Sequence, residues 1–267
     1  MSAPRSDHQT TTLPSMRLRQ LAAALRERGA LRLSDVIAEF GMARATAQRD
    51  LERLCREFGA QRTRGGVMLP SDKEYAAIEF AVRQQAIPEV KTRIARLAVR
   101  QLPPGATLYL DAGTTLLAFA RELARSDRKP AWVVTNSWHV AEVLGAAGIR
   151  HELLGGEVDA RSLAISGPTA LAQLANYHFD WAVISTDAIA ADGSLRVARP
   201  PEAQLKRAAM QASAQTMLLA NAEKFPGDAH AAVADLSAVT CWVSEAASAK
   251  MAKLCRAHDV TLVTKER

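Results

Sequence analysis

The side chains best equipped for chemistry fall into two groups. The first lies in residues 43 to 66, ARATAQRDLERLCREFGAQRTRGG. Ala47, Leu51 and Leu54 recur at the i, i+4, i+7 spacing of a buried helical stripe, which turns Arg44, Ala45, Gln48 and Arg49 outward. Arginine can grip guanine O6 and N7 with two hydrogen bonds, and glutamine can do the same to adenine N6 and N7. Arg49 and Gln48 are therefore candidates for base edges in a major groove, with Arg44 and Thr46 directed to phosphates. Gly59 is placed to end this helix. Beyond it, Arg62, Thr63, Arg64, Gly65 and Gly66 can form a hairpin in which Arg62 and Arg64 offer guanidinium groups to phosphates or a minor groove.

The second group follows apolar runs that read as strands. Asp111-Ala112-Gly113-Thr114-Thr115 succeeds TLYL, and Thr135-Asn136-Ser137 succeeds WVV, each just before a helix. Open α/β sheets bind ligands at such strand ends, where the first helical turn offers free N–H groups and a positive dipole end. Gly113 lets a ligand approach the backbone and the hydroxyls add donors, so phosphate is the natural guest; alternatively, Thr114 and Ser137 only cap helices. Gly155-Gly156 after HELL and Ser185-Thr186-Asp187 after FDWAVI mark further strand ends. Lys224, past the run TMLLA, is either a phosphate partner or an exposed surface lysine. Glu202 and Lys206, one helical turn apart, are either an internal ion pair or a base and anion partner facing a ligand. Neither Gly-x-Gly-x-x-Gly nor Gly-x4-Gly-Lys-Thr is present, so no full nucleotide fingerprint accompanies these loops.

The elements that must position the first group read in order from the N-terminus. Ser15 to Arg28 carries Leu18, Leu21, Ala22 and Leu25 on one face, and Gly29 stands at a C-cap. Leu31 and Leu33 alternate as in a strand stub, Ser34 can N-cap a helix bearing Val36, Ile37 and Phe40, and Gly41 makes the turn. Helix, stub, helix, turn, helix, hairpin is the order of a winged helix-turn-helix. Residues 70 to 90 follow as a connecting helix, with Tyr75, Ile78, Glu79 and Val82, ended by Pro88. From there strands alternate with helices, which predicts an α/β domain with a mainly parallel sheet covered on both faces. The expected divisions are a disordered tail at 1–14, a winged helix-turn-helix at 15–70, a linker helix at 71–89 and an effector-sensing α/β domain at 90–267.

Charge follows the same division. Residues 1–70 hold 12 Arg and no Lys against 7 acidic side chains, whereas the remainder holds 22 basic and 21 acidic. Such an excess suits duplex DNA, whose affinity is driven by counterion release. Across 267 residues, 48% hydrophobic and 23% charged composition is ordinary for a globular chain. No apolar run approaches a membrane span and the start lacks a secretion signal, so a cytoplasmic location without membrane contact is expected. Cys55, Cys241 and Cys255 read as small buried hydrophobes, and no metal or cofactor is expected, because neither Cys nor His falls at ligand spacing.

Several short motifs in this order resemble the DeoR family of bacterial transcriptional regulators, from about Arg17 to Val263. They are Thr46-Ala47-Gln48-Arg49-Asp50-Leu51, Arg62-Thr63-Arg64-Gly65-Gly66, Lys91-Thr92-Arg93-Ile94-Ala95, the Gly113 and Asn136 loops, Leu154-Gly155-Gly156 and Lys224-Phe225. The resemblance implies a repressor, often of carbohydrate-catabolic operons, whose C-terminal domain has a ribose-5-phosphate isomerase-like, Rossmann-type fold and senses a phosphorylated sugar. Family positions differ here at Ala43, Ala47 and Gln48, at Glu223 beside Lys224, and at Ser244-Glu245; Glu223 is expected to offset part of the Lys224 charge. The expected partners are a double-stranded DNA operator, a sugar phosphate and further copies of the chain, as dimer or tetramer. The effector residues are then Asp111, Gly113, Thr114, Thr115, Thr135, Asn136, Ser137, Gly155, Gly156, Asp187, Lys206 and Lys224. Two rival readings are an isomerase-type enzyme using Glu202, Asp187 or Asp111 as base, and an oligomerisation module with an empty pocket.

Overall fold

Apolar periodicity builds the N-terminal elements much as their spacing predicts. The computed structural model describes residues 14–63, 65–69, 80, 82–159 and 162–265. The chain divides into two units between Val82 and Arg83. In the first, α1 (Pro14–Arg28), β1 (Ala30–Arg32), α2 (Leu33–Phe40), α3 (Arg44–Phe58), β2 (Gln61–Thr63) and β3 (Gly66–Met68) follow one another. Leu18, Leu21, Leu25, Val36, Ala47, Leu51 and Leu54 close one core. Gly41 and Gly59 take left-handed conformations that end α2 and α3. The three strands pair antiparallel in the order β1-β3-β2. Gly66 is required there, since a Cβ on it would stand 1.9 Å from the Leu31 carbonyl oxygen.

Ser34 does not cap α2. Leu33 already begins the helix, Arg32 stands at the N-cap, and the Ser34 hydroxyl donates to Asp35 instead. The reason is tertiary: β1 is held to β3 through Arg32, and Leu33 N–H bonds Gly65 O at 2.8 Å, so the chain turns into the helix directly from the strand.

The second unit begins, after a helical stretch at 82–85, with α4 (Pro88–Gln101). Pro88 was expected to end the linker helix; it opens α4, because a residue without N–H costs nothing at the first helical position. The rest of the expected linker, 71–79 and 81, lies outside the described residues, as does the tail at 1–13, while Pro14 is already helical. Next come β4 (Thr107–Leu110), α5 (Thr114–Arg125), β5 (Trp132–Thr135), α6 (Trp138–Ala146), β6 (His151–Leu153), β7 (Glu157–Val158), β8 (Ile165–Ser166) and α7 (Pro168–Leu174). Then follow β9 (Phe179–Ile184), β10 (Ala188–Ile189), β11 (Ser194–Val197), α8 (Pro200–Gln211), β12 (Ser213–Leu219), β13 (Ala231–Asp235), β14 (Cys241–Val243), α9 (Ala249–Ala257) and β15 (Thr261–Val263).

Seven strands form one sheet in the order β15-β14-β12-β9-β4-β5-β6, and every neighbouring pair is parallel. Alternate side chains enter opposite cores. Leu108, Leu110 and Val133 pack with α4, α5 and α6, whereas Tyr109 and Val134 pack with α7, α8 and α9. The expected coverage on both faces is therefore present. A three-stranded antiparallel sheet, β10-β11-β13, and the β7-β8 hairpin were not anticipated; their strands have two to five residues, too short for a clear alternation.

From β4 the chain proceeds outward to β5 and β6, and from β9 it proceeds the other way to β12, β14 and β15. The direction of winding reverses between β4 and β9. In open α/β sheets the crevice beyond the strand ends at such a reversal is where ligands bind.

Candidate functional site

In the first unit α3 presents the anticipated face. Arg44 and Arg49 are exposed, Thr46 and Gln48 half-buried, and Ala47, Leu51 and Leu54 fully buried beneath them. Arg62 is exposed on β2, and Arg64 lies outside the described residues. Sequence reasoning missed what braces this helix: Asp50, buried on its inner side, accepts from Arg17 Nε of α1 at 2.6 Å. That ion pair ties the inner side of α3 to α1 beneath the exposed row.

In the second unit the reversal between β4 and β9 gathers a polar cluster. Asp111 ends β4 and is 1% exposed; Ser185 N–H, just past β9, donates to its Oδ2 at 3.2 Å. Lys206 of α8, also 1% exposed, donates to the same Oδ2 and stands 3.1 Å from Glu202 Oε1. Burial opposes the Lys206 charge, yet the two carboxylates outweigh it and hold its pKa above the usual lysine range. Glu202 and Lys206 thus form an ion pair, and it also includes Asp111 at the edge of the crevice. Tyr109, two residues before Asp111 and on the same side of the strand, feels both carboxylates; burial first and then their charge raise its pKa well above that of a free phenol.

Three side-chain atoms in this region are buried without a hydrogen-bond partner among the described residues: Tyr109 OH, Asp111 Oδ1 and Asn136 Oδ1. Leu110 pairs with Thr135 in the sheet, so Asp111 and Asn136 are the next residues of adjacent strands. Buried polar atoms are rarely left unpaired, because each costs about 1–3 kcal/mol of desolvation. Asn136 Nδ2 donates to Ile165 O at 3.1 Å, which leaves its Oδ1 as an acceptor.

Gly113 occupies the N-cap of α5 with φ 134°, no side chain caps that helix, and Thr114 and Thr115 form its first, half-buried positions. A Cβ at Gly113 would lie 3.2 Å from Ser185 Oγ, so the glycine keeps the loop close against β9. The neighbouring loop is more self-contained. Thr135 Oγ1 accepts from Ser137 N–H at 3.1 Å, and Ser137 Oγ caps α6 by accepting from Val140 N–H at 3.3 Å. Of the two anticipated loops, the one at Gly113 has the open helix end.

Other anticipated residues hold the surroundings. Gly155 N–H donates to Gln173 Oε1 at 2.7 Å, and a Cβ on Gly156 would stand 2.5 Å from Ser166 O, so both shape the packing of β7, β8 and α7. Asp187 accepts from Ala198 N–H at 2.8 Å and ties down the approach to α8. Lys224 is half-buried after β12. Glu223 does not pair with it and lies instead 3.4 Å from Asn221 Nδ2, while Glu245 accepts from Ala222 N–H at 3.2 Å and anchors the lysine's loop.

Lys91 is a further residue the sequence reading left without a role. It is buried near the start of α4 and donates to the carbonyls of Arg83 and Ala86. Burial, then the like charges of Arg83 and Lys224, lower its pKa to about 8. Its signal was a lysine continuing the buried stripe Ile94, Ala95, Ala98 at helical spacing. α4 runs into the beginning of β4, so its N-terminus and the loop after β12 both belong to the strand-end edge that carries Asp111 and Gly113.

A family model described as DeoR-like helix-turn-helix domain matches residues 17–73, and one described as DeoR C terminal sensor domain matches residues 87–246. The HTH-type transcriptional repressor GlcR of Bacillus subtilis is 31% identical over 76% of this chain and 78% of its own length. The glycerol-3-phosphate regulon repressor of Escherichia coli is 30% identical over 83% of this chain and 87% of its own. A solved ribose 5 phosphate isomerase A from Neisseria gonorrhoeae superposes with a TM-score of 0.38 at 17% identity, covering 50% of this chain and 52% of that one.

Proposed function

Because the chain belongs to the DeoR family of transcriptional regulators, we propose that the polar crevice between β4 and β9 is where it senses a phosphorylated sugar or polyol and thereby changes its grip on an operator. The protein is a DNA-binding regulator with a helix-turn-helix and a sensor domain, and the GlcR and glycerol-3-phosphate regulon relatives are named as transcriptional repressors rather than isomerase-type enzymes. The observation that carries the effector reading is the trio of unpartnered buried atoms, Tyr109 OH, Asp111 Oδ1 and Asn136 Oδ1, beside the uncapped start of α5. Two of the three are pure acceptors that call for hydroxyl donors, while the helix end calls for an anion. A phosphate on Gly113, Thr114 and Thr115, with charge from Lys91 and Lys224, and hydroxyls toward Asp111 and Asn136, answers both demands. The name of the glycerol-3-phosphate regulon repressor supports the same ligand class.

On the DNA side, Arg49 and Gln48 are proposed to read bases, and Arg44, Thr46, Arg62 and Arg64 to hold phosphates. The test of the pocket is Thr114→Asp. A carboxylate at the first helical position suits the dipole and spares the fold, yet it occupies the N–H groups and repels a phosphate dianion. Thermal shifts are measured for sugar phosphates and the matching neutral sugars on both proteins, followed by operator titration with the best ligand. Wild type should be stabilised by a phosphorylated member, the variant by none, and both should bind operator. Equal stabilisation of the two proteins would remove the ligand from this loop, and preference for neutral sugars would remove the phosphate.

A further inference from the structure

The charge of the second unit is unevenly placed. Residues 88–129 hold eight Lys or Arg and four Asp or Glu, whereas 130–267 hold twelve basic and fourteen acidic side chains. Of the eight, Lys91 is buried, and Arg93, Arg96, Arg100, Arg121, Arg125, Arg128 and Lys129 are exposed. Of the four acids, Asp111 is buried in the crevice, which leaves Glu89, Glu122 and Asp127 on this side.

Arg93, Arg96 and Arg100 follow one another at i, i+3, i+7 on the outer face of α4, a row about 10 Å long. The outer face of α5 lies alongside. Arg96 reaches across to Glu122 at 3.5 Å, and Arg125 stands 3.2 Å from the same carboxylate, so one acid serves two arginines that are 64% and 72% exposed. Arg93 has no ion-pair partner among the described residues and lines a surface hollow with Glu89, Thr92, Arg96 and Lys265, three cations to one acid. Solvated charges of alternating sign would be an ordinary helix surface; seven exposed cations against three acids, one of them shared by two arginines, make a net positive field that attracts an extended anion.

We propose that the α4–α5 face is a second, sequence-independent contact for the DNA backbone, used on duplex beyond what α3 and the hairpin cover. This rests on the protein being a DNA-binding regulator. The partner fits because guanidinium groups on a convex helix face meet phosphates without reading bases, and each contact releases counterions. An isolated small anion would need enclosure, which this open face lacks; an acidic protein is the competing occupant, and the measurement below decides against it or for it.

The experiment uses the full chain and a 40-bp random-sequence duplex, with affinity measured across KCl concentrations. For Arg93→Gln/Arg96→Gln the log–log salt slope should flatten by about 1.8, from about 0.9 per lost phosphate contact, with several-fold weaker binding at low salt. Lys250→Gln/Lys253→Gln removes the same charge from exposed positions of α9, on the opposite face of the sheet, and should leave the slope as it was. Arg44→Gln/Arg49→Gln should flatten the slope by itself and add to the α4 change. An unchanged slope in the α4 variant, or equal flattening by the α9 control, overturns the proposal and leaves an acidic protein as the occupant to seek. An unchanged slope in the α3 variant would instead overturn the DNA-binding role of α3, a distinct failure.

Discussion

At the scale of single residues, the two buried lysines of the second unit stand in opposite situations. Lys206 is held protonated by Asp111 and Glu202 despite full burial, so it titrates outside the physiological range. Lys91 donates to backbone carbonyls, and burial first, then the like charges of Arg83 and Lys224, lower its pKa to about 8. The sign for stability follows. Below pH 8 the folded and unfolded chains both carry the proton, and the fold bears the full cost of the buried charge; as pH rises from 8 toward the usual lysine pKa, the folded form is already neutral and the cost fades. Ligand binding runs the other way, because phosphate needs the charged form. Affinity for the sugar phosphate that gives the largest thermal shift should drop about tenfold between pH 8 and pH 9–9.5. Calorimetric titration across pH 6.5–9.5 measures this, and Lys91→Met should flatten the profile at its weak end. A flat wild-type profile would place Lys91 outside the phosphate site.

At the scale of elements, α3, the helix proposed to read bases, has an imperfect start. Ala43 stands at its N-cap with φ −65° and ψ 143°, a geometry suited to a capping side chain, and offers none. Thr46 N–H already bonds Ala43 O at 2.9 Å, so Ala43→Ser supplies a hydroxyl chiefly for Ala45 N–H and should stabilise the first unit by about 0.5–2 kcal/mol, seen as a raised denaturation midpoint with an unchanged m-value. No gain would mean that this N–H is already satisfied by water at no cost. The capping residues that local patterns favour were legible at Gly29, Gly41, Gly59 and Ser137, since a cap depends on its near neighbours. Ser34 was misread because strand β1 decides where α2 begins.

At the scale of the whole molecule, a helix-turn-helix domain and a sensor domain must each act without dismantling the other. Arg49→Ala removes an exposed guanidinium and no core atom, so it should cost about 1–3 kcal/mol of base discrimination and leave both units folded. Gel-shift competition against random duplex measures the loss; retained specificity would mean that another face of α3 reads the bases. Proteins of this kind dock as symmetric copies, so footprints should show half-sites about 34–36 Å apart or at multiples of that spacing. A single half-site bound by one chain would contradict the expected homo-oligomer.

The amino-acid sequence by itself determined the helix faces, the glycine turns and the polar loops that follow each apolar strand, because these depend on residues within a few positions of one another. It thereby marked Asp111, Gly113 and Asn136 before any strand order was known. Only the tertiary structure decided that β9 lies beside β4, that Ser185 donates to Asp111 across 74 positions, and that Lys206 reaches the same carboxylate across 95. Strand order and the meeting of distant charges are chosen by which apolar faces can be buried together and which buried charges can be compensated. Those balances belong to the closed core as a whole, so no window of sequence contains them.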